Sequence, residues 1–194
     1  MVLLRHLSIL SAALALAGPL VTSRLSAAET QDRQRAQELY NERNFAEAYG
    51  LLNKLIAAPD TDPFALPDDI RMALDALERL GRIPEFDDLR EMAVRTHAGN
   101  WRVLVEVSNE YRKRLHYGHM IAGKFKRGRH RGKGRQVNAQ ERDRIRSLQL
   151  LVQALPLIAN DDDDGARASF YLDFAQVLLL GRGRLDAWQL QTLS

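Results

Sequence analysis

The chain has 194 residues, 45% hydrophobic and 27% charged, which suits a globular protein of one or two small domains. It has no cysteine, so disulfides, a thiol nucleophile and cysteine-ligated zinc or iron–sulfur centres are excluded. Its formal net charge of +3 is unevenly placed: residues 112–135 carry ten Lys or Arg and no acid, and the rest of the chain is net acidic.

The N-terminus reads as an export signal. Arg5 and His6 form a short polar region, and the apolar run from Leu7 to Ala17 ends at Gly18-Pro19. Ser26-Ala27-Ala28 then offers small residues before Glu29, so cleavage is expected after Ala28. A spanning helix needs about 20 apolar residues, and this run is shorter. The competing reading is an uncleaved membrane anchor. Cleavage would leave residues 29–194 as a soluble protein outside the cytoplasm, in the periplasm, the cell envelope or the medium.

Residues 29–66 are expected to form a helical hairpin. Thr30 is a candidate cap, and Ala36, Leu39 and Tyr40 fall on one stripe. Asn44 interrupts it, and Phe45, Ala48, Leu52 and Leu55-Ile56 make a second stripe that Pro59 ends. This layout resembles a tetratricopeptide repeat, although Asp32 stands where the repeat carries a large residue. A generic helical hairpin fits the same pattern.

Residues 67–111 continue the array. Pro67-Asp68-Asp69 starts a helix with Ile70, Ala73-Leu74 and Leu77 on one face. Glu85-Phe86-Asp87 opens the next, with Phe86, Leu89 and Met92-Ala93 inward. Asn100 caps a third, from Trp101 to about Arg114, with Trp101, Leu104, Val105, Ser108 and Tyr111 inward. Trp101 and Tyr111 read as core rather than as a ligand-binding aromatic pair.

Residues 112–137 read as one long, basic, glycine-rich loop. Its candidate binding residues are Lys124, Lys126, Arg127, Arg129, Arg131, Lys133 and Arg135. The Arg-Gly composition is superficially that of an RNA-binding tract, but only Tyr117 and Phe125 could stack on bases, and export argues against nucleic acid. No Gly-Lys-Ser/Thr opens a helix, so it is not a phosphate loop. His116 and His119 could ligate zinc only with further help, and His130 is the one candidate nearby. An exposed cationic loop suits an acidic protein domain, anionic lipid headgroups or cell-wall polymers. A solvated linker is the alternative.

Residues 138–194 return to helix. Asn138 with Glu141 resembles a capping box for a helix from Ala139 to about Ala159, with Ile145, Leu148, Leu151-Val152, Leu155 and Ile158 inward. Residues 160–165 match the start of a calcium loop, but Tyr171 stands where the bidentate Glu is needed. They are read instead as an acidic helix start, followed by a buried helix from Ala166. Gly181-Arg182-Gly183 then turns into a further segment with Leu185, Trp188, Leu190 and Leu193 apolar, where the array is expected to be truncated.

The segment from His119 to Leu157, followed by ASFYLDFAQVLL and DAWQLQTL, resembles the N-terminal region of planctomycete-type bacterial alpha-2-macroglobulin-like proteins. The resemblance implies an exported, protease-trapping protein with macroglobulin domains further on. The thioester Cys-Gly-Glu-Gln motif of that family is absent here. The expectation is therefore an all-α protein of TPR-like, solenoid-type antiparallel hairpins with one long basic loop, divided as 1–28, 29–111, 112–137 and 138–194. Its expected role is a non-catalytic interaction module without cofactor or metal, binding downstream macroglobulin-type domains or proteases. The alternative is a stand-alone binder of anionic membrane or cell-wall surfaces. No HExxH, GxSxG or paired-histidine site suggests an enzyme.

Overall fold

In the computed structural model, the described residues are 18–129, 131, 134–159 and 161–179, with side chains from residue 27 onward. The polar start and apolar run of the expected export signal, His130, Lys133 and the segment after Leu179 lie outside them. The described chain is mostly helical and carries one small sheet. Its elements are α1 (Gly18–Asn41), α2 (Phe45–Ala57), α3 (Leu66–Arg79), a 3-10 turn (Ile83–Glu85), α4 (Phe86–Thr96), α5 (Trp101–Lys113), β1 (Tyr117–Ile121), β2 (Lys124–Arg127), β3 (Arg135–Asn138), α6 (Gln140–Ile158) and α7 (Asp164–Leu179).

The helices form where apolar side chains recur at helical spacing, and these stripes meet in one core. Ala36, Leu52, Ile56, Ile70, Leu74, Leu77, Phe86, Leu104 and Tyr111 are buried in it. Burial of each large apolar side chain contributes roughly 1.5–3 kcal/mol, which offsets the ordering of the chain. α1 packs on α2 and α2 on α3, while α5 and α6 make the most extensive helix pair. Asn100 caps α5: its Oδ1 accepts from the Arg102 and Val103 amides at 3.0 and 3.4 Å.

Three expectations about the helices need correction. α1 runs unbroken from Gly18, so Thr30 lies inside the helix and not at its start. On α6 the buried face is Asp143, Ser147, Leu150, Leu151, Ala154 and Ile158, while Ile145 and Val152 are exposed. Apolar spacing alone puts the inward stripe about one position round the helix, because an acid and a serine occupy the inward turns nearest its start. α7 buries only Phe170 and Val177 among its side chains and leaves Tyr171, Leu172, Leu178 and Leu179 exposed.

The largest correction concerns residues 112–137, which are not a loop. Residues 117–121, 124–127 and 135–138 form a three-stranded antiparallel sheet in the order β2-β1-β3. Met120 pairs with Phe125 across one interface and with Arg135 across the other. β1 turns into β2 through Ala122 and Gly123, both at positive φ, as a two-residue hairpin turn requires. Gly118 has no room for a side chain, since a Cβ there would lie 2.1 Å from the Lys126 carbonyl oxygen. Gly128, at φ +84°, follows β2, and a Cβ there would lie 3.0 Å from the Ile83 side chain. These glycines make the tract resemble an Arg-Gly repeat, yet they serve close packing and a turn.

Ala122 is a non-glycine residue at φ 47°, a region that favours Asn or Gly in such turns. Ala122→Asn is expected to stabilise the protein by about 0.5–1 kcal/mol. Urea denaturation followed by circular dichroism measures this, and an unchanged or lower midpoint contradicts the turn assignment.

Candidate functional site

Strand pairing divides the insert into two faces, because residues that oppose one another across a ladder point the same way. Gly118, Met120, Phe125, Arg127, Arg135 and Val137 share one face. Tyr117, His119, Ile121, Lys124, Lys126, Gln136 and Asn138 share the other. The first face docks on the helices through Arg127 and leaves Arg135 exposed at its far end, and the lysine face is turned outward.

Arg127 is therefore not an exposed binding cation, which corrects its place among the candidates. It is 1% exposed. Its Nε donates to Asp87 Oδ1 at 2.9 Å and Nη2 donates to Asp87 Oδ2 at 3.3 Å. Nη1 and Nη2 donate to Asp143 Oδ2 and Oδ1, both at 2.7 Å. Nη1 also donates to the Leu115 carbonyl oxygen. Five N–H groups and five acceptors leave no guanidinium donor unused. One side chain thus ties β2 to α4, to α6 and to the end of the α5–β1 connection.

Other charges complete this junction. His116 faces Asp143 through Nδ1 at 2.9 Å and the Arg112 carbonyl oxygen through Nε2 at 3.0 Å. Arg142 donates to Asp87 Oδ2 at 2.9 Å, and its guanidinium lies 4.7 Å from the centre of the Phe125 ring. Arg90, fully buried, sits between the Phe86 and Tyr111 rings and donates to Asp87 and to the Glu110 carbonyl oxygen. Tyr111 in turn donates to Glu91, which Arg146 clamps with two bonds at 2.8 and 2.6 Å. Burial pushes the Tyr111 hydroxyl well above its usual range, with the negative charges of Asp87 and Glu91 adding to the effect. Burial alone would raise the Asp143 carboxyl, but the hydrogen bonds from Arg127 and His116 hold it below its ordinary value. Desolvation works against the charge on Arg127, and the Asp143 hydrogen bond and Asp87 more than restore it.

The remaining candidates behave differently. Lys124 and Lys126 stand exposed on the outer face, Arg129 and Arg131 are exposed in the β2–β3 connection, and Arg135 is exposed at the start of β3. None of these five has an ion-pair partner among the described residues, whereas the arginines at the sheet–helix junction are all engaged. Lys133 lies outside the described residues. Beside β3 is an open depression of about 530 Å³ lined by His116, Tyr117, Gln136, Val137 and Asn138.

The other sequence motifs take structural places. Asp161, in the suspected calcium loop, accepts from Trp101 Nε1 at 2.7 Å and Arg102 Nη1 at 3.0 Å, which fastens the α6–α7 turn to α5. Asp163 Oδ1 accepts the Ala166 amide at 2.9 Å. Among the described residues no group of three or more His, Asp or Glu is placed to hold a metal, and no helix is long and apolar enough to cross a membrane. Residue type did not reveal the roles of Asp87 and Asp143. The signal in the sequence was position: Asp143 and Arg90 lie on the buried stripes of α6 and α4, where a charge needs a partner.

Comparison with family models, curated proteins and solved structures gave no match.

The junction predicts a defined response to pH. The folded pKa of Asp143 is depressed, so its contribution is complete above the unfolded value, about 3.9, and is lost as pH falls through the folded value. Asp143→Asn is expected to cost about 3–5 kcal/mol at neutral pH, because it leaves the buried Arg127 short of a counter-charge. The penalty should shrink below about pH 4, where the carboxyl of the unfolded chain takes up its proton first and that of the folded chain follows at lower pH. Chemical denaturation at neutral and acid pH reads both, and a penalty independent of pH contradicts the assignment.

Proposed function

We propose that this chain is a non-catalytic, exported interaction module that meets an acidic protein partner through the cations of the small sheet. The observation that carries the reading is the contrast within one insert. Arg127 is spent on anchoring, while Lys124, Lys126, Arg129, Arg131 and Arg135 stand exposed without a counter-charge among the described residues. Exposed like charges repel one another, and an acidic partner relieves that repulsion. A folded sheet holds several of these cations in fixed register, which favours a defined partner surface over a diffuse one.

The wider setting rests on the resemblance and the export signal. It makes the chain the helical N-terminal part of an alpha-2-macroglobulin-like endopeptidase inhibitor, with a downstream macroglobulin-type domain or a protease as partner. A TPR-like arrangement is consistent with α1, α2 and α3 packing in sequence, with Ala36 and Ala48 buried where a repeat needs small residues. No catalytic role is assigned: the buried acids, the histidine and the tyrosine of the junction are bonded to one another.

The second reading, a stand-alone binder of anionic envelope surfaces, draws on the same five cations. The full chain should bind immobilised poly-glutamate, and changing Lys124, Lys126, Arg129, Arg131 and Arg135 together to Gln should weaken binding about tenfold or more at low salt. Unchanged retention contradicts the reading. Pelleting with phosphatidylglycerol vesicles but no retention on poly-glutamate favours the second reading instead. Export is checked separately: residues 1–35 fused to alkaline phosphatase should give activity outside the cytoplasm, and a silent fusion contradicts it.

A further inference from the structure

β3 is an edge strand with one side unused. The order β2-β1-β3 pairs it with β1 alone. Its hydrogen-bond phase follows from the Ala139 amide, which donates to the His116 carbonyl oxygen at 2.5 Å in the same register as Gly118 with Val137 and Met120 with Arg135. In an antiparallel ladder such pairs alternate, so Val137 and Arg135 turn their backbone groups toward β1. The amide and carbonyl of Gln136, and the amide of Asn138, turn away from it and take no backbone partner among the described residues. Gln136 and Asn138 are exposed, and no helix packs extensively on this strand.

Natural edges of this kind are normally blunted by charge, proline or a covering element. Here the charge is of one sign. Arg135 lies in the strand, Arg129 and Arg131 lie in the connection leading to it, and no acid occurs anywhere in residues 112–135. Such an edge repels a second copy of itself and attracts an acidic segment. A depression lined by His116, Tyr117, Gln136, Val137 and Asn138 lies over the neighbouring β1–β3 pair.

We propose that β3 is a docking edge for an extended, acidic peptide segment of the partner protein, which adds antiparallel or parallel as a fourth strand through the Gln136 backbone. The inference rests on the acidic-partner reading above and adds a binding mode to it: main-chain hydrogen bonds supply register, and the cations supply sign.

Two peptides of equal charge separate the two claims. One alternates Glu and Val; the other has the same sequence with alternate backbone amides N-methylated on each edge, so that it cannot join a ladder. The full chain should bind the first about tenfold more tightly than the second, with the Gln136 amide gaining protection from hydrogen exchange. Gln136→Pro, which removes the outward N–H and leaves the β1 ladder intact, should abolish the difference, while Gln136→Ala retains it. Equal binding of both peptides overturns the docking edge and leaves the charge reading standing. Binding of neither overturns both. Should the proline variant lose its native circular dichroism spectrum, the peptide comparison on the unmodified chain decides the matter by itself.

Discussion

The bonds from Arg127 to Asp87 and Asp143 hold the small sheet to the helices, and most other features of the insert depend on them. A guanidinium sealed from water is costly unless all its donors are used, and here two carboxylates and one carbonyl use all five. The acceptors come from α4, α6 and the Leu115 connection, which lie far apart in sequence. The bond set can therefore form only when helices and sheet are already in their final arrangement. Removing one partner leaves a buried charge, so the junction acts more as a requirement for correct assembly than as a source of net stability.

Around that anchor the rest of the insert divides by strand alternation. Phe125 and Arg127 point toward the helices, and Lys124 and Lys126 point away. The same four residues thus supply both an attachment and a charged outer face. The anchor keeps the outer cations at a fixed spacing, and the glycines permit the close approaches that anchoring needs: Gly118 under the Phe125 ring and Gly128 against Ile83. A mobile cationic loop would have to lose conformational freedom on binding, and a pre-formed sheet has already lost it.

The helical stripes of α2 to α5 were legible in the sequence because apolar spacing and side-chain caps act locally. Asn100 caps α5 as its type and position suggest, and Ala48, Leu52, Leu55 and Ile56 are buried as the spacing implies. The sheet was not legible for a physical reason. In KFKR one alternate position is Phe and the next is a buried Arg, so the inward face contains the same residue type as the outward one and the period of two disappears into a run of cations. Arg127 could be told from Arg129 only by its distant partners. The stripe on α6 was misplaced for a related reason, since Asp143 and Ser147 lie on its buried side: Asp143 binds Arg127, and Ser147 pairs with Ser108 at 2.6 Å. On α7 the reverse holds, with Tyr171, Leu172, Leu178 and Leu179 apolar and exposed.

One buried arginine holds the sheet to the helical layer. Hydrogen exchange of Arg127→Lys, which keeps the charge but loses the two-carboxylate fork, tests it most directly. In that variant the amides of β1, β2 and β3 should lose most of their protection while those of α2 and α3 keep theirs. Protection of the sheet equal to that of the unmodified protein would contradict it.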